Sequence, residues 1–374
     1  MRDDIWYEYD NDLSNMDGVN YFDASIPDYL AGDTYQSGYF VTANTLGMLS
    51  LSGPEDPNFD SYVMDEFAGG NYDAEEQIAA FYAMIVDKLG DDVTLIAGAR
   101  FESTSINYTG QVFDEEEDEL PSDIGSVSGG NDYYNILPNL TLQWDVNDEL
   151  NLNIAFTQSI ARPSYYDLVP YEYSNSDDQE LALGNPDLKS SLSTNFDFMG
   201  EWYFGGLSLL SFGYFSKDIK DWIYQYTTNN YTYAGVDGYE LSQLRNGEKA
   251  NVSGFELGFQ TKFLKNFTFM GNYTSTDSST NNVEGRDDVP LTGQVDDMYN
   301  LSLAFENKKF FVRASMNYAS EALDELSGDA YEDRYYDEQT FLDVNANYKV
   351  NDNLSIFAEG KNLTNQPLRY YQGI

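Results

Sequence analysis

Residues 150–159 read LNLNIAFTQS, with Leu150, Leu152, Ile154 and Phe156 at one parity and Asn151, Asn153, Ala155 and Thr157 at the other. Successive side chains of an extended backbone point to opposite faces, so the alternation predicts a β-strand with one apolar and one polar side. The same signature recurs downstream in VSGFELGFQTKF (252–263). There Phe255, Leu257, Phe259 and Phe263 share one face, while Glu256, Gln260 and Lys262 share the other with Gly254 and Gly258. Charges in mid-strand are costly in a dry core unless paired, but ordinary against water. The polar faces are therefore expected to enclose water and the apolar faces to meet lipid. A soluble, half-solvated antiparallel sheet also fits the alternation taken alone.

Working outward, the period of two marks about twelve strands in six hairpins. The pairs are 77–88 with 93–108, 133–146 with 150–159, 191–204 with 207–226, 250–263 with 267–276, 298–305 with 310–319, and 341–350 with 354–363. Their turns are LGDD, NDE, GG, LKN, ENKK and NDN, all rich in turn-forming residues. Between hairpins run long polar segments, roughly 109–132, 163–190, 227–247, 276–294 and 319–338. Tight turns at one end and long loops at the other is the build of an outer-membrane barrel. Strands of about ten residues, at roughly 3.3 Å each and tilted near 45°, reach about 23 Å, which matches the roughly 25 Å apolar band of such barrels. Tyr133, Tyr134, Trp144, Trp202, Tyr203, Tyr318 and Tyr348, near strand ends, would form aromatic girdles at its two interfaces.

Composition narrows the function. The chain carries 64 acidic against 19 basic residues, a formal charge of -45, so a polyanion such as nucleic acid is repelled. There is no Cys, hence no disulfide or thiolate metal site, and no His, which removes the commonest general base, the Ser-His-Asp triad and the HExxH zinc site. The chain is read as a non-enzyme. The opening MRDDIWYEYD is not a signal peptide, and no run of about 18 apolar residues exists to form a membrane helix.

Two segments go beyond architecture. FTQSIARPSYYDLVPYEY (156–173) followed by LALGNPDLKSSLSTNFDFMGEWYF (181–204) resembles a region of the TonB-dependent outer-membrane receptors, and NVSGFELGFQ and LSIFAEGKNLTNQP resemble later segments of that family. LKSS stands where LKPE is usual. The resemblance runs from about residue 71 to the end. It implies an all-β, antiparallel transmembrane barrel of roughly 22 strands with an amino-terminal plug. This chain then corresponds to the carboxy-terminal portion, about twelve strands, without the plug and the last strand. Residues 1–74 are read as a large extracellular loop and 75–374 as the barrel portion.

The resemblance further implies TonB-energised uptake of a scarce nutrient across a Gram-negative outer membrane, with lipid and lipopolysaccharide as surroundings and TonB acting through the plug. Haem receptors of the family take an axial His from the region between the two signature segments, and none is present. The acidic charge disfavours anionic siderophores, so an oligosaccharide is the expected solute, with a neutral or cationic siderophore second. A secreted carbohydrate-binding or adhesive β-protein and a passive porin are the rival readings.

Among candidate residues, Tyr165, Tyr166, Tyr171, Tyr173, Tyr231, Tyr233, Tyr335 and Tyr336 lie in outward segments and can stack on sugar rings while their hydroxyls hydrogen-bond. Arg162, Pro163, Asn185, Pro186 and Asp187 are read as loop-base geometry, since Pro fixes φ and Asn or Asp favours turns. Asp114, Glu115, Glu116, Glu117, Asp118 and Glu119 form a run of carboxylates, either a solvated face or a site for loop-bound calcium or magnesium. No other cofactor is expected.

Overall fold

The computed structural model describes residues 6–8, 61–63, 71–114, 125–281, 283–327 and 330–372. β1 (Trp6–Glu8) pairs antiparallel with β2 (Ser61–Val63). β3 (Tyr72–Lys88) turns into β4 (Val93–Asp114), and β5 (Gly125–Asn147) into β6 (Leu150–Ala161). A single helical turn, α1 (Tyr165–Leu168), and the short hairpin β7 (Glu172–Asn175) and β8 (Glu180–Leu183) lead to β9 (Ser191–Phe204) and β10 (Ser208–Lys220). Next come β11 (Ile223–Tyr233) and β12 (Val236–Asn246), then β13 (Lys249–Phe263) and β14 (Phe267–Asn281). β15 (Asp297–Glu306), β16 (Phe310–Ala319), β17 (Ala322–Ser327) and β18 (Arg334–Tyr336) precede β19 (Gln339–Asn351), β20 (Leu354–Gly360) and β21 (Tyr370–Gln372).

Twelve of these strands form one antiparallel wall in the order β3, β4, β5, β6, β9, β10, β13, β14, β15, β16, β19, β20. Among the described residues β3 pairs only with β4 and β20 only with β19. The wall is thus an open sheet, because the short strands at the loop end join one another and β4 but never bridge β3 to β20.

Register carries the predicted two-sidedness across the wall. One row runs Trp144, Leu152, Gly200, Phe212, Leu257, Tyr273, Tyr299, Tyr318. The adjacent row on the opposite face runs Glu201, Ser211, Gly258, Asn272, Asn300, Asn317. Phe255, Leu257, Phe259 and Phe263 are each more than a third exposed. A sandwich would press that face against a second layer, whereas a barrel leaves it to acyl chains.

All six tight turns fall where expected. At LKN both Leu264 and Lys265 take left-handed backbone angles, φ 47° and 64°, as Gly205 and Gly206 do at GG. Two such residues in succession match the twist of a two-residue hairpin.

The other end differs from expectation. The segments 163–190, 227–247 and 319–338, read as loops, contain β7–β8, β11–β12 and β17–β18. The long strand expected over 207–226 breaks after Lys220, where Asp221 takes φ 51° and turns the chain away from the wall. Asp tolerates this conformation better than most residues, so the apolar alternation continues through the break and conceals it. β4 and β5 also run beyond the predicted limits, pairing as far as Val112 with Gly125, which shrinks the segment expected at 109–132.

The loop strands hydrogen-bond into a second sheet, ordered β7, β8, β12, β11, β17, β18, β21, and attached to the end of β4 through β7. Three of its contacts are parallel: β4 with β7, β8 with β12, and β11 with β17. The hydrophobic core sits at this end. One cluster joins Trp222, Tyr224, Ala250, Val283, Val289, Leu323 and Leu326; a second joins Ile106, Tyr108, Leu168, Val169 and Leu188; a third joins Leu181, Tyr239 and Leu241.

Candidate functional site

The motif segment ARPSYYDL is a clamp at the base of the loop sheet. Arg162 donates from Nη2 to Glu102 Oε2 at 2.5 Å and to Thr104 Oγ1 at 3.3 Å. Its Nε lies 3.8 Å from Glu76, while Arg100 donates to the other Glu102 oxygen. Glu102 and Thr104 are buried, so this charge group ties the chain after β6 to β3 and β4 where water cannot compete. Ser164 then caps α1: its hydroxyl accepts from Asp167 N, and Asp167 accepts from Ser164 N, a reciprocal capping box. Leu168 and Val169 drop into the core.

GNPDL closes onto the same place. A Cβ at Gly184 would lie 1.7 Å from the Val169 carbonyl oxygen, so only glycine lets the two backbones meet there. Asn185 donates from Nδ2 to Leu244 O at 2.8 Å, its backbone N donates to Asp167 O at 2.9 Å, and its Oδ1 accepts from Asp187 N. Pro186 O accepts from Tyr108 OH at 3.3 Å. Arg162, Pro163, Asn185, Pro186 and Asp187 thus sit together at the loop base. Nothing in the sequence marks Glu76 and Glu102 as the partners of Arg162.

The tyrosines expected to meet solute are distributed over this end rather than gathered at one point. Tyr165 OH donates to Glu76 at 3.0 Å. Tyr166 stacks on Tyr171, ring centroids 4.5 Å apart, and burial, followed by Tyr166 and Asp167, raises the Tyr171 hydroxyl. Tyr173 is on β7; Tyr231 and Tyr233 are on β11, where Tyr233 donates to Glu172 and packs edge-on against Tyr239. Tyr335 and Tyr336, on β18, pair with Tyr371 and Tyr370 of β21. Asp114 ends β4, and Glu115, Glu116, Glu117, Asp118 and Glu119 lie outside the described residues.

Between the loop sheet and the polar face of the wall lies a cleft of about 500 Å³, lined by Ser159, Ile160 and Ala161 of β6, Ser191 and Ser193 of β9, Ile219, Trp222, Ile223 and residues 291–294. No charged side chain lines it. A second cleft of about 600 Å³ lies on the polar face nearer the turns, among Gln260, Asn272, Asn300, Ser302, Asn317 and Arg313. Trp222 gave no signal as a lining residue, because IKDWIYQY read as an unbroken wall strand.

A β-wall that is apolar outside and polar inside, with tight turns at one end and folded loops at the other, defines an outer-membrane β-barrel protein. The profile described as TonB dependent receptor-like, beta-barrel matches residues 2–363. The chain belongs to that family, whose barrels lie in the outer membrane of Gram-negative bacteria. No curated protein matches it.

Solved structures share the fold. The ferric-catecholate import receptor Fiu of E. coli K12 is 17% identical with a TM-score of 0.60, over 79% of this chain and 42% of that one. A ferric enterobactin receptor mutant from Pseudomonas aeruginosa is 16% identical with a TM-score of 0.53, over 83% and 50%. The copper transporter OprC is 14% identical with a TM-score of 0.58, over 78% and 42%. The chain therefore spans half or less of the length of each.

Proposed function

We propose that this chain forms wall and capture surface of an outer-membrane receptor that imports a scarce nutrient, with TonB supplying energy through a plug seated in the lumen. The solute is read as a neutral oligosaccharide. The observation that carries this reading is the cleft beneath the loop sheet. In a chain of formal charge -45 it offers serine hydroxyls, the Gln294 amide and aliphatic walls, and no carboxylate. Hydroxyls and an amide beside aliphatic walls suit sugars, which present hydroxyl groups and C–H faces together. An anionic ferric complex approaching the surrounding acidic surface is repelled over roughly a Debye length, about 8 Å at physiological salt.

A ferric siderophore is the second reading, favoured by the names of two of the structural neighbours. The two are separated by deleting the gene and growing the strain on limiting oligosaccharides or on iron-loaded siderophores. Loss of growth on a sugar, reproduced when TonB is removed, supports the proposal. Loss confined to iron limitation replaces it with the second reading, and uptake that persists without TonB makes the protein a passive pore.

A further inference from the structure

The turn end of the wall divides its charges sharply. The β3–β4 and β5–β6 turns and their flanks carry Asp87, Asp91, Asp92, Asp145, Asp148 and Glu149, with Lys88 the single cation. The β13–β14 and β15–β16 turns carry Lys262, Lys265, Lys308 and Lys309 against Glu306. Adjacent turns are knitted along this rim, since Glu306 N donates to Asn266 O and Lys349 N to Lys309 O, both at 2.8 Å. Among the described residues these four lysines have no ion-pair partner, a state they share with Lys88, Lys217 and Lys220, while Lys189, Lys249, Lys349 and Lys361 are paired. What sets the four apart is that they cluster on two adjacent turns. Lys262 lies on the polar face at the base of its turn and Lys265, Lys308 and Lys309 lie at the turn tips, so in a protein with 64 acidic residues this corner of the rim gathers four unpaired ammonium groups.

Next to the patch stands an aromatic and apolar belt. Phe263 stacks on Phe267 at 5.6 Å, Phe267 meets Phe305 at 5.0 Å, and Phe310 meets Tyr348 at 5.1 Å. Leu264, at the turn tip, is 78% exposed. The belt is continuous with the lipid-facing side of the wall, and tight turns of such barrels lie at the inner, periplasmic leaflet. Ammonium groups set beside rings at that depth match the phosphate and glycerol levels of a lipid.

We propose that the β13–β14 and β15–β16 turns form a docking site for the phosphodiester of an anionic glycerophospholipid. The lysines hold the headgroup, and Leu264, Phe263 and Phe310 lie along its glycerol and upper acyl chains. The acidic turns β3–β4 and β5–β6 stand farther along the rim, where screening over about 8 Å separates them from the headgroup. The inference concerns the membrane face and does not depend on which solute is carried.

The test uses the full chain in zwitterionic detergent, delipidated and offered an equal mixture of phosphatidylglycerol and phosphatidylcholine, with retained lipid counted by native mass spectrometry. The wild-type chain retains phosphatidylglycerol in preference, and added salt weakens the preference. Combining Lys262→Gln, Lys265→Gln, Lys308→Gln and Lys309→Gln lowers it about ten-fold or more, as four surface lysines demand. Lys217→Gln with Lys220→Gln, at the other end of β10, leaves it unchanged. Lys265→Gln and Lys309→Gln, placed singly at turn tips, each remove part of it and serve if the quadruple variant does not fold. An undiminished preference in the quadruple or single variants, an equal loss in the Lys217 and Lys220 control, or displacement of the lipid by inorganic phosphate would overturn the site.

Discussion

In the wall, Phe255, Leu257 and Phe259 stand exposed on the outer face, whereas in the loop sheet Leu181, Leu241 and Leu326 are sealed almost completely from solvent. Both regions are hydrogen-bonded β-structure of similar composition, so the difference lies in what surrounds them. Wall side chains leave water by entering lipid, and the chain supplies them no second layer. Loop-sheet side chains leave water by packing on one another, as in a soluble domain, at about 1.5–3 kcal/mol for each large aliphatic group. One polypeptide therefore contains a membrane-protein half and a globular half, joined at the clamp around Arg162.

That contrast can be broken in the loop sheet first. Leu326→Ala should destabilise the loop sheet by about 2–5 kcal/mol, read as faster amide exchange in β11 and β17, while Leu257→Ala on the lipid face should change the same exchange hardly at all. Equal losses from the two leucines would dissolve the distinction between the halves. The clamp comes next. Replacing Arg162 with Ala leaves the buried Glu102 carboxylate held by Arg100 alone, and should cost about 1.5–3 kcal/mol for the charged hydrogen bond lost. Urea unfolding in micelles measures it, and adding Glu102→Gln should restore part of the loss.

Gly184→Ala should cost about 1–3 kcal/mol by pushing the GNPDL segment off Val169, visible as altered tyrosine near-ultraviolet dichroism at the loop end. The smallest effect is at Tyr371, whose hydroxyl, donating to Glu321 at 2.7 Å, is pushed up to about 12. A tyrosine raised in the folded state contributes stability that is complete below its unfolded value near 10 and lost as pH rises through the folded one. Phenolate absorbance should show that, among the late-titrating tyrosines, one moves earlier in Glu321→Gln.

The wall was legible because each strand declares itself within ten or so residues: period two, then a turn such as LKN or NDN. Even the faces followed, down to Glu256 and Lys262 opposite Phe255 and Leu257. The loop sheet was not legible, because its pairings are remote and short. Tyr226 pairs with Leu326 and Glu240 with Glu180, and no local pattern announces a parallel contact of two to four residues across such separations. The Pro and Asn chemistry of ARPSYYDL and GNPDL marked these segments as turns. It did not reveal that Glu102, a mid-strand carboxylate, is what Arg162 holds. The Trp222 cleft was hidden for the same reason as the break at Asp221, by an apolar alternation that outlasts the strand.

The ladder that unites the outward hairpins also sets how they can move. Tyr226 of β11 and Leu326 of β17 share a rung, Thr227 donates to Glu325 at 2.7 Å, and Arg286 grips Asp333 through two nitrogens. The outward hairpins consequently form one bonded sheet, not a ring of independent fingers. Displacing any one hairpin must then shift its neighbours or slip a register, and lengthening one alters the tilt of all.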